Sequence, residues 1–252
     1  MKAVLLCGGF AKRLWPLTLD RPKALLDFGG RTILDHIVDK VERIQEVDEI
    51  IVSANAAFEP AFREWLAKRK FAKPVRLVVE ASREESQKLG AVRGLEWLIR
   101  ECRIDADCLV VAGDNIFDFE FGPLLEAYKK TGAPTIALYD VGNPEKARLY
   151  GIVKLDGTRI VELQEKPASP PSTLASTGCY VFPRGVLSAL TEYLASGSPR
   201  DAPGHFISWL CQRQPVHGWV WRGAWFDIGD LESLELARRW AKMQKQLFML
   251  PK

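Results

Sequence analysis

A handful of short stretches in this 252-residue chain carry side chains able to hold phosphates, a metal ion or hydroxyl groups. The first runs Cys7-Gly-Gly-Phe-Ala-Lys-Arg-Leu-Trp-Pro-Leu-Thr18 and continues through Asp20-Arg-Pro-Lys-Ala-Leu-Leu26. Gly8 and Gly9 let backbone N–H groups approach phosphate oxygens, while Lys12, Arg13, Arg21 and Lys23 supply positive charge. No Gly-Lys-Ser/Thr follows at P-loop spacing, and Phe10-Ala11 breaks the G-x-G-x-x-G pattern of dinucleotide sites. Taken alone, the glycine pair fits a solvated basic loop. The second stretch, Val110-Val-Ala-Gly-Asp-Asn-Ile-Phe117, ends an apolar run on Asp114. A carboxylate at the end of a strand can hold a divalent cation over a phosphate, although by itself the pair reads as an Asp-Asn turn. Further on, Tyr150-Gly-Ile-Val-Lys-Leu155 leads to Leu163-Gln-Glu-Lys-Pro167. There Glu165 can accept hydrogen bonds from hydroxyls and Lys166 can pair with a phosphate; an alternating surface strand is the plainer explanation of that stretch on its own.

The elements around these residues set where they stand. Apolar, β-branched runs at Ala3–Cys7, Ile50–Ala54, Val75–Val79, Cys108–Ala112 and Thr135–Tyr139 read as strands. Ile33, Ile37, Val38, Val41 and Ile44 fall on one helical face, and Phe58, Phe62, Trp65 and Leu66 on a second. A third helix, less cleanly patterned, spans Val92 to Ile99. Buried strands alternating with helices predict an α/β fold whose mostly parallel sheet is covered on both faces. In the second half, Gly151–Leu155 and Ile160–Gln164 flank an Asp156-Gly157 turn and read as a hairpin. Ser176–Phe182, His217–Trp221 and Trp225–Ile228 follow as strands, with helices over Arg184–Leu194 and Leu231–Met249. Asp230 is a good N-cap for the last of these.

In this order, the stretches resemble the signature of the sugar-1-phosphate nucleotidylyltransferase family, in a short form similar to glucose-1-phosphate thymidylyltransferases. The family pattern Gly-Gly-x-x-x-Arg-Leu-x-Pro-Leu-Thr, then Pro-Lys-x-Leu-Leu, is met at Arg13, Pro16, Leu17, Thr18, Pro22, Lys23, Leu25 and Leu26. Ser176-Thr-Gly-Cys-Tyr-Val-Phe182 is similar to its sugar-pocket strand, and Ala224-Trp-Phe-Asp-Ile-Gly-Asp230 to its Trp-x-Asp-Ile/Thr-Gly segment. The chain departs from the pattern at Phe10-Ala11, where the family usually has a further glycine, and at Ala91, where it usually has threonine.

The resemblance implies a Rossmann-like nucleotidyltransferase fold: one domain over 1–252, with 1–140 holding the nucleotide and 141–252 the sugar phosphate. It implies triphosphate contacts from Arg13 and Lys23, with Lys166 as the third catalytic cation. Nucleotide binding falls to Gly8, Gly9, Leu89, Gly90 and Asp114, and sugar-phosphate binding to Tyr150, Gly151, Glu165, Lys166, Thr177 and Gly178. Mg²⁺ is the implied cofactor, held by Asp114 and Asp227. Glu80 lies where relatives carry a Glu. The substrates would be a nucleoside triphosphate and a sugar 1-phosphate, with dTTP or UTP favoured from Gly113–Phe117 and glucose 1-phosphate as the sugar. Asp201 and Gly204 match an Asp-x-x-Gly spacing read as structural.

Composition narrows the field further. A net charge of +3 with no run of basic residues points away from nucleic acid. Five scattered cysteines without a C-x-x-C pair argue against disulfides and structural zinc. The opening apolar run is too short for a signal-peptide core or a membrane span, so a cytoplasmic, non-membrane protein is expected. The end at Lys252 leaves no room for the left-handed β-helix of some relatives, so no acyltransferase activity is expected. Homo-oligomerisation is left open. Two competing readings stand: a cytidylyltransferase for a non-sugar alcohol phosphate such as phosphocholine, and a non-catalytic regulatory relative.

Overall fold

The apolar runs become strands because each can bury both faces. In a computed structural model that describes residues 1–249, Ala3, Val4 and Leu5, like Ile50, Ile51 and Val52, are fully enclosed. The strands are β1 (Lys2–Leu6), β2 (Asp27–Phe28), β3 (Arg31–Thr32), β4 (Glu49–Asn55), β5 (Val75–Glu80), β6 (Cys108–Ala112), β7 (Asn115–Phe117), β8 (Thr135–Asp140), β9 (Gly151–Asp156), β10 (Arg159–Glu165), β11 (Leu174–Phe182), β12 (His217–Trp221) and β13 (Trp225–Asp227). The helices are α1 (Ile33–Glu42), α2 (Glu59–Lys68), α3 (Ala91–Glu101), α4 (Phe121–Thr131), α5 (Pro144–Ala147), α6 (Leu187–Ala195), α7 (Pro203–Cys211) and α8 (Leu231–Met249).

A nine-stranded sheet runs β5-β4-β1-β6-β11-β8-β12-β10-β9. Pairings within β5-β4-β1-β6 are parallel, as is β8–β12. β11 lies antiparallel between β6 and β8, and β10 antiparallel between β12 and β9. Only β11 and β10 therefore oppose the common direction. β13 and β7 form a separate two-stranded ribbon.

Successive side chains along the buried strands point to opposite faces, and two cores result. Ala3, Leu5, Ile50, Val52, Leu109 and Val111 pack with α1, α2, α4 and α8. Val4, Ile51 and Val110 pack with α3, α6 and α7. Truncating any of the enclosed leucines or isoleucines to alanine would cost about 2–5 kcal/mol. Helix α1 starts where a capping box allows it: Thr32 Oγ1 accepts from the Asp35 N–H at 3.0 Å, and Asp35 accepts from the Thr32 N–H at 2.9 Å. At the other end of the chain, Asp230 accepts from the Ser233 N–H at 2.8 Å and caps α8. Helix α4 has no counterpart among the sequence expectations; it carries Gly122 and Pro123 in its first turn. Proline is tolerated in the first helical turn, where the N–H has no intrahelical partner in any case.

Candidate active site

Parallel strands bring their carboxyl ends to one edge of the sheet, and the loops that leave this edge carry the chemistry. β1 delivers Cys7, Gly8 and Gly9, and β6 delivers Gly113 and Asp114. Between them, the Gly113 N–H donates to the Leu6 carbonyl oxygen at 2.9 Å. A side chain at Gly113 would collide with Cys7 Sγ, so the two loops can lie against each other only with glycine there. Asn55, at the end of β4 and fully buried, donates to the Gly8 carbonyl oxygen at 3.1 Å and fixes the glycine loop from the other side.

Beyond Gly9 the loop turns sharply at Ala11, whose φ of 48° is left-handed. This is where the family pattern has its extra glycine, and the turn survives with alanine. The Ala11 carbonyl oxygen accepts from Leu14 N–H at 2.9 Å and from the buried Thr18 hydroxyl at 2.9 Å. The turn leaves Arg13 exposed, with its guanidinium beside Gly229.

The acidic residues are brought together by the ribbon. Asp227 pairs with Asn115 across β13–β7, and the Ile228 N–H donates to the Asp114 carbonyl oxygen at 3.1 Å. Lys23 forms an ion pair with Asp114 at 2.7 Å. Burial, and next the nearby Asp114 carboxylate, push the Asp227 pKa up to about 6; Lys23, Arg13 and Lys166 act on it in the opposite direction. Five charged side chains from separate segments thus lie close enough to act on one another. Among the described residues no cluster of three or more His, Cys, Asp or Glu gathers there or elsewhere. Two carboxylates of like charge held against each other fit a hard divalent cation that takes one or two protein oxygens and fills its remaining positions from water and phosphate.

The far wall is built by β9, β10 and α7. Glu165 is half-buried, with its carboxylate wedged between Gly151 and Gly204. Burial pushes its pKa up, and Lys166 and His205 oppose this. Lys166 takes a left-handed φ of 47°, and its N–H donates to the Tyr150 carbonyl oxygen at 3.0 Å. Tyr150 packs on the Trp225 ring at 4.8 Å. Its phenol pKa is raised by burial first and then by Asp227 and Asp230. Gly178, at φ 75°, forms the irregularity in β11 and rests against Ala112 at the end of β6.

One expected site residue is placed differently. Thr177 is buried, and its hydroxyl donates to the Ala137 carbonyl oxygen at 2.9 Å, which ties β11 to β8 and leaves it no hydroxyl for a ligand. Leu89 and Gly90 precede α3 and are half-exposed; Gly90 lies against the chain at Arg200–Asp201, whose carbonyl oxygens accept from Val92 and Ala91. A Cβ on Gly90 would lie 2.7 Å from the Arg200 carbonyl oxygen, and its φ of 84° also requires glycine. Gly204, expected to be structural, makes the room that Glu165 occupies.

Sequence reading missed Asn115. It is buried, donates to Asp114 Oδ1 at 2.8 Å and accepts from Trp225 Nε1 at 2.7 Å, so it holds one acid and the ribbon that carries the other. A polar residue inside an apolar Ile-Phe strand was the signal available. Asp118 also escaped notice; it accepts from the Ala224 N–H at 2.9 Å and shapes the turn into β13.

A family model described as nucleotidyl transferase matches residues 2–242. The chain is 29% identical to the bifunctional protein GlmU of Methanocaldococcus jannaschii, covering 100% of this chain and 55% of that one. It is 30% identical to a mannose-1-phosphate guanyltransferase of Aspergillus oryzae, covering 91% of this chain and 61% of that one. The chain spans 51–60% of the length of the first curated relatives it matches. In fold it is similar to a UDP-glucose pyrophosphorylase from Acinetobacter baumannii, with a TM-score of 0.77, 19% identity and 98% of each chain covered. No helix among the described residues is long and apolar enough to cross a membrane.

Proposed function

We infer the reaction from one premise: this chain belongs to the nucleotidyl transferase family. It transfers a nucleotidyl group from a nucleoside triphosphate to a sugar 1-phosphate, giving a nucleoside-diphosphate sugar and pyrophosphate. The observation that carries this reading is the convergence of Arg13, Lys23 and Lys166 on the Asp114–Asp227 pair.

Both substrates are anions, and two unit charges 4 Å apart repel by about 4 kcal/mol near a protein surface. Catalysis therefore rests on neutralising charge and aligning the reactants. Arg13 and Lys23 hold the triphosphate; Lys166 holds the sugar phosphate. A sugar-phosphate oxygen, already ionised at neutral pH, forms a bond to the α-phosphorus as the bond to pyrophosphate breaks, so no general base is needed. Mg²⁺ held by Asp114 and Asp227 would polarise phosphate oxygens and neutralise their charge. Glu165 accepts hydrogen bonds from sugar hydroxyls, which favours a sugar over phosphocholine. In this division residues 1–140 serve the nucleotide and 141–252 the sugar phosphate. Glucose 1-phosphate and mannose 1-phosphate are the sugars to test first. A dTTP or UTP preference would rest on Gly113–Phe117, but Asn115 is occupied by Asp114 and Trp225 and meets no base.

The test is pyrophosphate release across the common nucleoside triphosphates with sugar 1-phosphates and phosphocholine. Turnover is expected with a sugar 1-phosphate, and Asp114→Asn should lower it roughly a hundredfold or more. Absence of turnover with every sugar phosphate, or full activity in Asp114→Asn, would overturn the reading.

A further inference from the structure

Lys23 opens a single turn of 3₁₀ helix, Lys23–Leu25, whose backbone is pinned at both ends. The Leu25 N–H donates to the Pro22 carbonyl oxygen at 2.9 Å, and the Leu26 N–H donates to the Lys23 carbonyl oxygen at 3.0 Å. Pro22, Ala24, Leu25 and Leu26 are buried around it, so only the flexible stem of the lysine can move. Its ammonium lies 2.7 Å from Asp114 Oδ2. The other carboxylate oxygen, Oδ1, accepts from Asn115 Nδ2 at 2.8 Å, and Asn115 is itself held by Trp225. Both oxygens of Asp114 thus have donors, and the two donors differ in kind: Asn115 is buried and locked, while Lys23 hangs on a mobile arm. With its side chain only 15% exposed, Lys23 does not make a screened surface pair. Among the described residues no other cation forms an ion pair with Asp114 or Asp227; Arg13 and Lys166 act on Asp227 by charge alone.

A divalent cation on Asp114 has to compete for the oxygen that Lys23 holds. The ammonium takes a lone pair the metal would use, and like charges at such a distance repel. Lys23 and the metal are therefore alternatives at this carboxylate until something draws the ammonium away. A triphosphate does so: it offers anionic oxygens to a lysine acting as a point charge, and it supplies oxygens that complete the coordination of a hard cation. We propose that Lys23 is an exchangeable counter-ion, which neutralises Asp114 before nucleotide enters and passes to the triphosphate as it binds, so that nucleotide and metal bind cooperatively. By linkage, each ligand then raises the affinity for the other by the same factor. This rests on the reading of Asp114 and Asp227 as ligands of the metal.

Two titrations of the intact chain test it: Mn²⁺ alone, followed by the paramagnetic signal of the free ion, and inorganic tripolyphosphate in EDTA, followed by calorimetry. Lys23→Met keeps an unbranched arm and removes the charge. It should bind Mn²⁺ roughly tenfold or more tightly than the unmodified chain, because the competing charge is gone. It should bind tripolyphosphate roughly tenfold or more weakly, having lost a charged contact. Lys23→Gln should show the same two opposite shifts, and Lys23→Arg, which keeps the charge, should bind Mn²⁺ no more tightly than the unmodified chain. Adding Asp114→Asn to Lys23→Met should abolish the gain, which ties the ion to this carboxylate. A damaged fold would weaken both ligands, so the gain in metal affinity is what a merely structural lysine cannot produce. Mn²⁺ affinity that fails to rise in both Lys23→Met and Lys23→Gln, or a gain that survives Asp114→Asn, overturns the counter-ion role. The reaction itself is decided separately, by pyrophosphate release from the unmodified chain.

Discussion

Asp227 is where the charges of the cleft meet, and its titration shows what their convergence costs. In the folded, metal-free chain its pKa is about 6 against an ordinary 3.8, through burial first and the Asp114 carboxylate second. A carboxyl with a raised folded pKa binds its proton more tightly in the folded state. Its contribution to stability is therefore fully present below 3.8 and is lost as pH rises through about 6. A shift of this size corresponds to up to about 3 kcal/mol. Asn keeps the size of the side chain and removes the charge, and among the described residues no hydrogen bond to the Asp227 carboxyl has to be replaced. In EDTA, Asp227→Asn should therefore melt above the unmodified chain at pH 8, with the difference vanishing toward pH 4, while turnover with Mg²⁺ is lost. A lower melting temperature for Asp227→Asn at pH 8 would mean that the two acids do not oppose each other.

At the scale of elements, the proposed sugar side depends on how closely α7 approaches the β9–β10 hairpin. Gly204 lies in the first turn of α7, and a methyl group there would strike Glu165 Oε2 and come within 3.1 Å of Leu163 Cδ2. The carboxylate is the far end of a flexible side chain and can swing aside, and alanine suits a helix better than glycine by up to about 1 kcal/mol. Gly204→Ala should therefore fold with a stability change within about 1 kcal/mol. The displaced carboxylate no longer meets the sugar, so KM for the sugar phosphate should rise roughly tenfold or more, the scale of a lost charged hydrogen bond, while KM for the nucleotide holds. An unchanged sugar KM would remove Glu165 from the sugar site.

Across the whole molecule, one sheet carries both sides of the cleft. β11 joins the parallel strands that carry the glycine loop and Asp114 to the hairpin that carries Glu165 and Lys166. The halves are thus rigidly registered, yet their side chains are separable. Lys166 is exposed, so Lys166→Ala should leave the melting temperature unchanged. It should weaken sugar-phosphate binding roughly tenfold or more and nucleotide binding far less, as seen by calorimetry of each substrate alone. Equal losses for both would show that the cleft does not divide along the two halves of the chain.

Much of this was legible in the sequence because it is local. Strand and helix periods, the Asp156-Gly157 hairpin and the Asp230 cap depend on neighbours a few residues away. The phosphate-loop motif Cys7–Leu26 likewise lies in one stretch of chain. Ala11 shows the limit even there: the missing glycine was visible, but not that alanine holds the left-handed turn in its place. Burial and proximity, in contrast, are set by segments far apart in the chain, and only the tertiary structure decides them. It places Asp227 beside Asp114 through the β7–β13 ribbon, turns the Thr177 hydroxyl inward, makes Asn115 the link between the acids and Trp225, and brings Lys23 onto Asp114. The residues of the cleft could be named from their types and order; their charge states and partners follow from packing, because a carboxylate's environment is the sum of every element folded against it.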